Sequence, residues 1–207
     1  MIICMSDQMD MINGRNMMNE YDYNNQMICI TNRNLCKGDF LEKIREVASK
    51  KPKAIILREK DLTQEEYARL SVKVKAICDE MGVICIYHTF IDTAVQQGVR
   101  QIHLPMPLLR MLSEDIKKSF DMIGVSCHSV EEAVEAEANG SSYIIAGHIF
   151  DTDCKKNIPG RGLSFLQEVA SSVTIPVYGI GGITGQNLDL ILKSGAAGGC
   201  MMSGYMQ

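Results

Sequence analysis

The sequence predicts an α/β protein with a parallel sheet, most specifically a small (β/α)8 barrel. Short apolar runs alternate with amphipathic segments of helical period, and little linker separates one unit from the next. This alternation is typical of consecutive βα units. Because eight such runs follow one another, the pattern favours a closed TIM barrel, and a doubly wound open sheet remains the alternative.

The predicted strands are short apolar runs that begin at residue 26 and end at residue 203. They cover 26–31, 54–58, 82–87, 101–104, 122–127, 142–147, 175–180 and 198–203. The clearest helical patterns cover 39–50, 63–80, 129–139 and 163–171. Ser129 and Glu132 have the spacing of an N-terminal capping box. The segment after the fourth strand is short and contains prolines, so its helical pattern is weaker.

The two ends of the chain differ from this repeating part. Residues 1–25 are rich in Met, Asn and Asp and lack a clean period, which indicates an N-terminal extension. Residues 26–207 are predicted to form a single barrel domain, because 207 residues with 46% hydrophobic content suit one compact core. Only "GYMQ" follows the last strand, so the eighth helix is either missing or replaced by the extension.

Composition narrows the class of partner. The formal net charge is -4, and no dense Lys/Arg block would attract nucleic acid or an anionic membrane. No segment has the apolar length of a membrane span, and the N-terminus lacks the pattern of a signal peptide. We therefore expect a cytoplasmic protein that binds a small polar ligand. The sequence allows a homodimer without requiring one.

Metal sites are not predicted from the cysteines and histidines. The eight cysteines are scattered and form no C-x-x-C pair, which favours reduced thiols that pack as small hydrophobes. The four histidines lack metal-ligand spacing.

Two glycine-rich turns indicate a phosphate ligand. The motif "YGIGGITGQN" places Gly181 and Gly182 in a strand-to-helix turn whose N–H groups can bind phosphate. The alternative is that the glycines only form a tight turn and bind no ligand. The motif "MMSGY" adds Ser203 and Gly204 after the next strand. The loops after strands seven and eight form the recurrent phosphate site of this fold, so the pair supports a phosphate ligand.

Charged and titratable residues also follow the predicted strands, where barrel active sites form. Arg58 and Lys60 follow the second strand, where they can receive an anion, with a surface ion pair as the alternative. His128 follows the fifth strand, and its imidazole suits proton transfer near neutral pH unless it is structural. His103 is expected to face the barrel interior, and His148 to be structural.

Taken together, these motifs resemble the thiamine phosphate synthase superfamily, and more narrowly its TenI branch, the thiazole tautomerases. The resemblance spans about residue 26 to the C-terminus and implies the same barrel. The motifs are "ITNR" (30–33), "LREK" (57–60), "IHLPMP" (102–107), "IGVSCHSVEEA" (123–133), "AGHIFDTDCKKNIPGRGL" (146–163), "IPVYGIGGIT" (175–184) and "MMSGYM" (201–206).

Departures from the synthase pattern favour the tautomerase branch. Synthases of this superfamily use Mg²⁺ and carry Q-x-R-E-K, an Asn-Asp pair after strand three and an Asp after strand four. In this chain Ile56 stands at the Gln position, His88 and Thr89 stand at the Asn-Asp pair, and Leu108 stands at the second Asp. Since Mg²⁺ needs oxygen ligands, we expect a metal-independent reaction without a cofactor.

The resemblance implies a carboxythiazole phosphate substrate whose exocyclic double bond moves into the ring, which becomes aromatic. His128 matches the histidine of the S-x-H-S motif and is expected to transfer the proton. The expected substrate-binding residues are Arg58, Lys60, Ser126, Thr152, Lys155, Gly181, Gly182, Ser203 and Gly204. Two other functions remain open: a thiamine phosphate synthase, which would need Mg²⁺, and a non-catalytic binder of thiazole or thiamine phosphates.

Overall fold

The computed structural model describes residues 20–152 and 158–207. Its parallel strands form a closed barrel in chain order, in which each strand pairs with the next and the last pairs with the first. This closure confirms the (β/α)8 prediction over the open sheet. The strands are β1 Met27–Ile30, β2 Ala54–Leu57, β3 Ile84–His88, β4 Gln101–Pro105, β5 Met122–Cys127, β6 Tyr143–Gly147, β7 Val177–Ile180 and β8 Gly198–Met201.

Helices follow the strands around the outside of the barrel. A 3-10 helix, Arg33–Leu35, follows β1, and two short helices stand where the sequence pattern after strand four was weak. The helices are α1 Glu20–Asn25, α2 Phe40–Ser49, α3 Gln64–Glu80, α4 Ile91–Gln96, α5 Met106–Met111, α6 Glu114–Lys117, α7 Val130–Ala138, α8 Gly162–Ser172, α9 Leu188–Lys193 and α10 Ser203–Met206. None of the helices in the described ranges combines the length and apolar character needed to cross a membrane.

Strand side chains alternate between two apolar layers, because parallel barrel strands are covered on both faces. In β1, Met27 and Cys29 belong to the layer packed against the helices, whereas Ile28 and Ile30 belong to a second cluster inside the barrel. The inner cluster includes Tyr143, whose ring lies over Gly124. A Cβ at Gly124 would lie 2.0 Å from that ring, so the glycine makes room for the tyrosine.

The last helix is present but short, with four residues in α10. Tyr205 in α10 donates a hydrogen bond to the Oδ1 atom of Asn24 in α1, at 3.3 Å. This contact joins the end of the chain to the helix before β1. Residues 1–19 of the predicted N-terminal extension lie outside the described residues.

Candidate active site at the C-terminal rim of the barrel

A cavity of about 560 Å³ opens where the strands end. This volume lies within the usual range for small-molecule sites. The described residues that the sequence predicted for the site all line this cavity: Arg58, Lys60, Ser126, His128, Thr152, Gly181, Gly182, Ser203 and Gly204. Lys155 lies outside the described residues. His88, His103 and His148 line the cavity as well.

Arg58 and Lys60 bring positive charge to the rim after β2. Within residues 20–152 and 158–207, neither side chain forms an ion pair with a carboxylate. Burial, and then repulsion from the Arg58 charge, lower the pKa of Lys60 below its ordinary value. Two neighbouring cations without an acidic partner favour an anionic ligand over the surface ion pair that the sequence also allowed.

Glu59 lies between these two cations in sequence but turns away from the cavity. Its side chain is buried, at 2% exposure, and accepts hydrogen bonds from the Thr31 hydroxyl at 2.6 Å and from the Arg33 N–H at 3.1 Å. The Thr31 hydroxyl in turn accepts a hydrogen bond from the N–H of Arg58 at 2.9 Å. Glu59 therefore ties the loop after β2 to the loop after β1 and fixes the backbone of Arg58.

Glu59→Gln is expected to lower the free energy of unfolding by about 1–3 kcal/mol, because an amide cannot accept all the hydrogen bonds of the buried carboxylate. Urea denaturation followed by circular dichroism measures the change. The control is Glu168→Gln on the exposed face of α8, which should change stability by less than about 0.5 kcal/mol. Equal stability of the two variants would contradict this role of Glu59.

A pair of buried histidines lies beneath the rim. His103 in β4 faces the barrel interior, as predicted, with Nε2 2.8 Å from the Ser126 hydroxyl and Nδ1 3.1 Å from the Tyr143 hydroxyl. The ring of His88 in β3 stacks against it with the centroids 5.7 Å apart. The N–H of His88 donates to the hydroxyl of Tyr67 at 3.0 Å.

The environment keeps both imidazoles uncharged at neutral pH. Burial, with smaller contributions from the neighbouring His103, Lys60 and Arg58, lowers the pKa of His88 to about 2. Burial lowers the pKa of His103 to about 3, with a further contribution from Lys60. The cavity floor is therefore polar but neutral, and it can exchange hydrogen bonds with a heterocyclic ligand.

His128 is exposed at the start of the loop after β5. Its ring Nδ1 lies 3.0 Å from the carbonyl oxygen of Gly147, which acts as an acceptor, so in the neutral ring Nδ1 carries the hydrogen and Nε2 keeps the lone pair. Its N–H donates to the Glu132 carboxylate at 2.6 Å, while the Ser129 hydroxyl accepts from the N–H of Glu132. Only half of the predicted capping box is therefore formed. Ser129 caps the N–H of Glu132, but the Glu132 carboxylate accepts from the N–H of His128, one residue before the cap, instead of from the cap residue itself.

The turn after β7 needs its glycines for conformation and for space. Gly181 and Gly182 have φ of 100° and 64°, and a Cβ at Gly181 would lie 2.4 Å from the Cβ of His148. Asn187 closes the turn by donating to the Gly182 carbonyl at 2.9 Å and accepting from the N–H of Thr184 at 2.8 Å. Hydrogen bonds between the described residues do not use the N–H groups of the two glycines, so these groups are available to an anion.

Sequence reasoning did not identify the partners that surround these residues. His88 was assigned no role, and Tyr143 and Tyr67 were not considered, because the apolar period of a strand or a helix carries no signal for a buried hydroxyl. His148 is buried with Nε2 3.1 Å from the carbonyl oxygen of Ile158, which holds the two ends of the loop after β6 together.

Comparison with known proteins places the barrel and its rim in a family. The model of the family described as thiamine monophosphate synthase matches residues 27–205. The thiamine-phosphate synthase of Clostridium acetobutylicum is 32% identical over 193 residues, which cover 91% of this chain and 90% of the relative. That of Enterococcus faecalis is 33% identical over 173 residues, 81% and 80% of the two chains.

A solved structure agrees with these sequence relatives. The thiamine phosphate pyrophosphorylase from Pyrococcus furiosus superposes with a TM-score of 0.75 at 30% identity, over 87% of each chain. The superfamily resemblance is therefore confirmed.

The narrower prediction of a thiazole tautomerase, an isomerase, is wrong, since the relatives found at about 32% identity over most of the chain are named synthases. That prediction rested on the departures from the synthase pattern at Ile56, His88, Thr89 and Leu108 and on the match of His128 to the S-x-H-S motif. The motifs shared with the superfamily form the barrel and its rim, and they identify the superfamily and not the branch, because one fold can host several reactions. With its motifs, its barrel and a match from residue 27 to residue 205, the chain belongs to the thiamine monophosphate synthase family.

Proposed function

We propose that this chain is a transferase that joins a pyrimidine diphosphate to a thiazole phosphate, the reaction for which its relatives are named. The observation that carries the proposal is the presence of two anion-binding regions in one cavity. One is the cationic pair Arg58 and Lys60, and the other is formed by the glycine turns at Gly181, Gly182 and Gly204. A reaction between two phosphorylated ligands needs two such regions.

The bond changes balance without an added proton or oxidant. The bond between the pyrimidine methylene carbon and the diphosphate oxygen breaks, and pyrophosphate leaves with the electron pair. The thiazole nitrogen uses its lone pair to form the new carbon–nitrogen bond. Arg58 and Lys60 would stabilise the charge that grows on the leaving diphosphate, and the glycine turns would hold the thiazole phosphate. Holding both ligands in one cavity supplies proximity.

The rest of the cavity suits two heteroaromatic rings. Ile56, Ile145 and Ile180 provide apolar walls, while the hydroxyl of Ser126 and the ring of His103 provide hydrogen-bonding groups beneath them. A small number of polar groups on an otherwise apolar wall is typical of sites that orient small rings. We assign further ligand contacts to His128, Thr152 and Lys155, and His128 then binds substrate instead of moving a proton.

The test is direct turnover with both substrates. Purified protein is mixed with the pyrimidine diphosphate and the thiazole phosphate, and mass spectrometry follows thiamine phosphate while a coupled assay follows pyrophosphate. The expected result is equal formation of both products, and neither product when one substrate is omitted. Binding of both substrates without products would overturn the transferase and favour a non-catalytic binder.

A further inference from the structure

The donor set at the cavity does not fit a magnesium ion. Among the described residues that line it there is no Asp or Glu side chain, and the described part of the chain contains no cluster of three possible metal ligands. Mg²⁺ is held in proteins by carboxylates and other oxygens in octahedral geometry. At two positions where the resemblance placed these ligands, the His88 ring and the Thr89 hydroxyl hydrogen-bond to each other.

Carboxylates near the rim are already engaged by protein donors. Asp61 forms a bidentate ion pair with Arg33, in which the two guanidinium N–H groups donate to the two carboxylate oxygens at 2.7 and 2.6 Å. Glu59 is buried against the same arginine. Asp151 accepts a hydrogen bond from the N–H of Gly160 at 2.7 Å. To reach a cation in the cavity, each of these groups would have to give up its partners.

The positive charge of the rim also disfavours a magnesium ion in the cavity. Arg58 and Lys60 already lower the pKa of the buried His88 ring through their positive charges. A dication placed beside them would be repelled, because no acidic side chain among the described lining residues offsets its charge. A diphosphate, in contrast, would be attracted by both cations.

We propose that this site binds the diphosphate group as the free anion, through Arg58 and Lys60, without a divalent cation. The inference rests on the proposed function for the identity of the anion. In this arrangement the Arg58 and Lys60 side chains neutralise the diphosphate and stabilise it as it leaves. A metal ion has this role in other diphosphate sites.

The first experiment is calorimetric titration of the whole chain with inorganic pyrophosphate, in EDTA and in excess Mg²⁺. We expect saturable binding in EDTA, at least as tight as with Mg²⁺. Arg58→Gln should weaken binding in EDTA by about tenfold or more, as expected for loss of a charged hydrogen-bond donor. The matched control is Arg45→Gln, since Arg45 pairs with Glu80 outside the cavity and its loss should leave binding unchanged. Binding that appears only with Mg²⁺ would overturn the proposal.

A second variant tests whether the native site binds pyrophosphate without Mg²⁺ because it lacks a carboxylate. Thr89 has a φ of 72°, in the left-handed region, which Asp and Asn adopt more readily than a β-branched residue. Thr89→Asp therefore suits the backbone and adds a carboxylate directly after His88, which lines the cavity. We expect Mg²⁺ to tighten pyrophosphate binding in this variant and not in the native chain. An equal tightening in both proteins would show that the native site already holds the cation, against the proposal.

These binding measurements separate the two proposals. Pyrophosphate binding in EDTA without formation of thiamine phosphate would keep this inference and overturn the transferase. Product formation that depends on Mg²⁺, together with Mg²⁺-dependent binding, would keep the transferase and overturn this inference.

Discussion

Arg58→Gln is expected to lower kcat for thiamine phosphate formation by about 10²–10³-fold, the usual cost of removing one donor that stabilises developing charge. Arg58 carries its charge into the cavity without an acidic partner among the described residues, so its charge is available to the leaving diphosphate. Steady-state kinetics with release of pyrophosphate as the readout measures the effect. Lys60→Gln should act in the same direction.

Two further variants make this prediction specific. Arg58→Lys keeps the charge but loses the planar fork of donors, so it should recover only part of the lost kcat. Arg45→Gln removes a cation that pairs with Glu80 and should leave kcat and KM unchanged. If Arg58→Gln instead raised only the KM for the thiazole phosphate, Arg58 would belong to the other half of the site and the assignment would be wrong.

The free energy of unfolding is expected to fall steeply as the pH drops below about 6.5, because two histidines are buried in neutral form. The folded-state pKa values of His88 and His103 are about 2 and about 3, below the ordinary value of 6.5. Between these limits the unfolded chain binds more protons than the folded one, so acid favours unfolding. Above about 6.5 both states are neutral and the effect vanishes.

The size of the effect follows from proton linkage. Each buried histidine contributes a slope of up to about 1.4 kcal/mol per pH unit, so the pair can remove about 5 kcal/mol over two units, comparable with the whole stability of a small domain. Urea denaturation at about pH 7, 6 and 5 measures the slope. His88→Gln and His103→Gln should each reduce it by about half, whatever they do to stability at pH 7. An undiminished slope in both variants would rule out these histidines as its source.

The order and position of the strands could be predicted because the signal is local. A strand covered on both faces reads as a short apolar run, and β2 was predicted over 54–58 and observed over Ala54–Leu57. The end of β3 was missed, since the strand continues to His88 and a polar side chain breaks the apolar run. In α5 and α6 the pattern was weak because each helix is only one or two turns long.

The reaction was harder to predict than the site. The residues at the rim of the barrel were predicted from their positions after the strands. The departures at His88, Thr89 and Leu108 suggested the tautomerase. Similarity over most of the chain points to the synthases instead. Motifs typical of phosphate sites are compatible with many reactions, so they could not distinguish the branches.

The sequence by itself determined the alternation of strands and helices, the barrel they form and the residues that stand at its rim, because these depend on periodicity and on neighbours along the chain. Only the tertiary structure decided how the rim residues are used. Glu59 binds Thr31, 28 residues away, and not the adjacent cations, and His103 binds Tyr143, 40 residues away. Pairing and desolvation arise between segments distant in sequence, and they determine which charges stay available to a ligand and which imidazoles stay neutral.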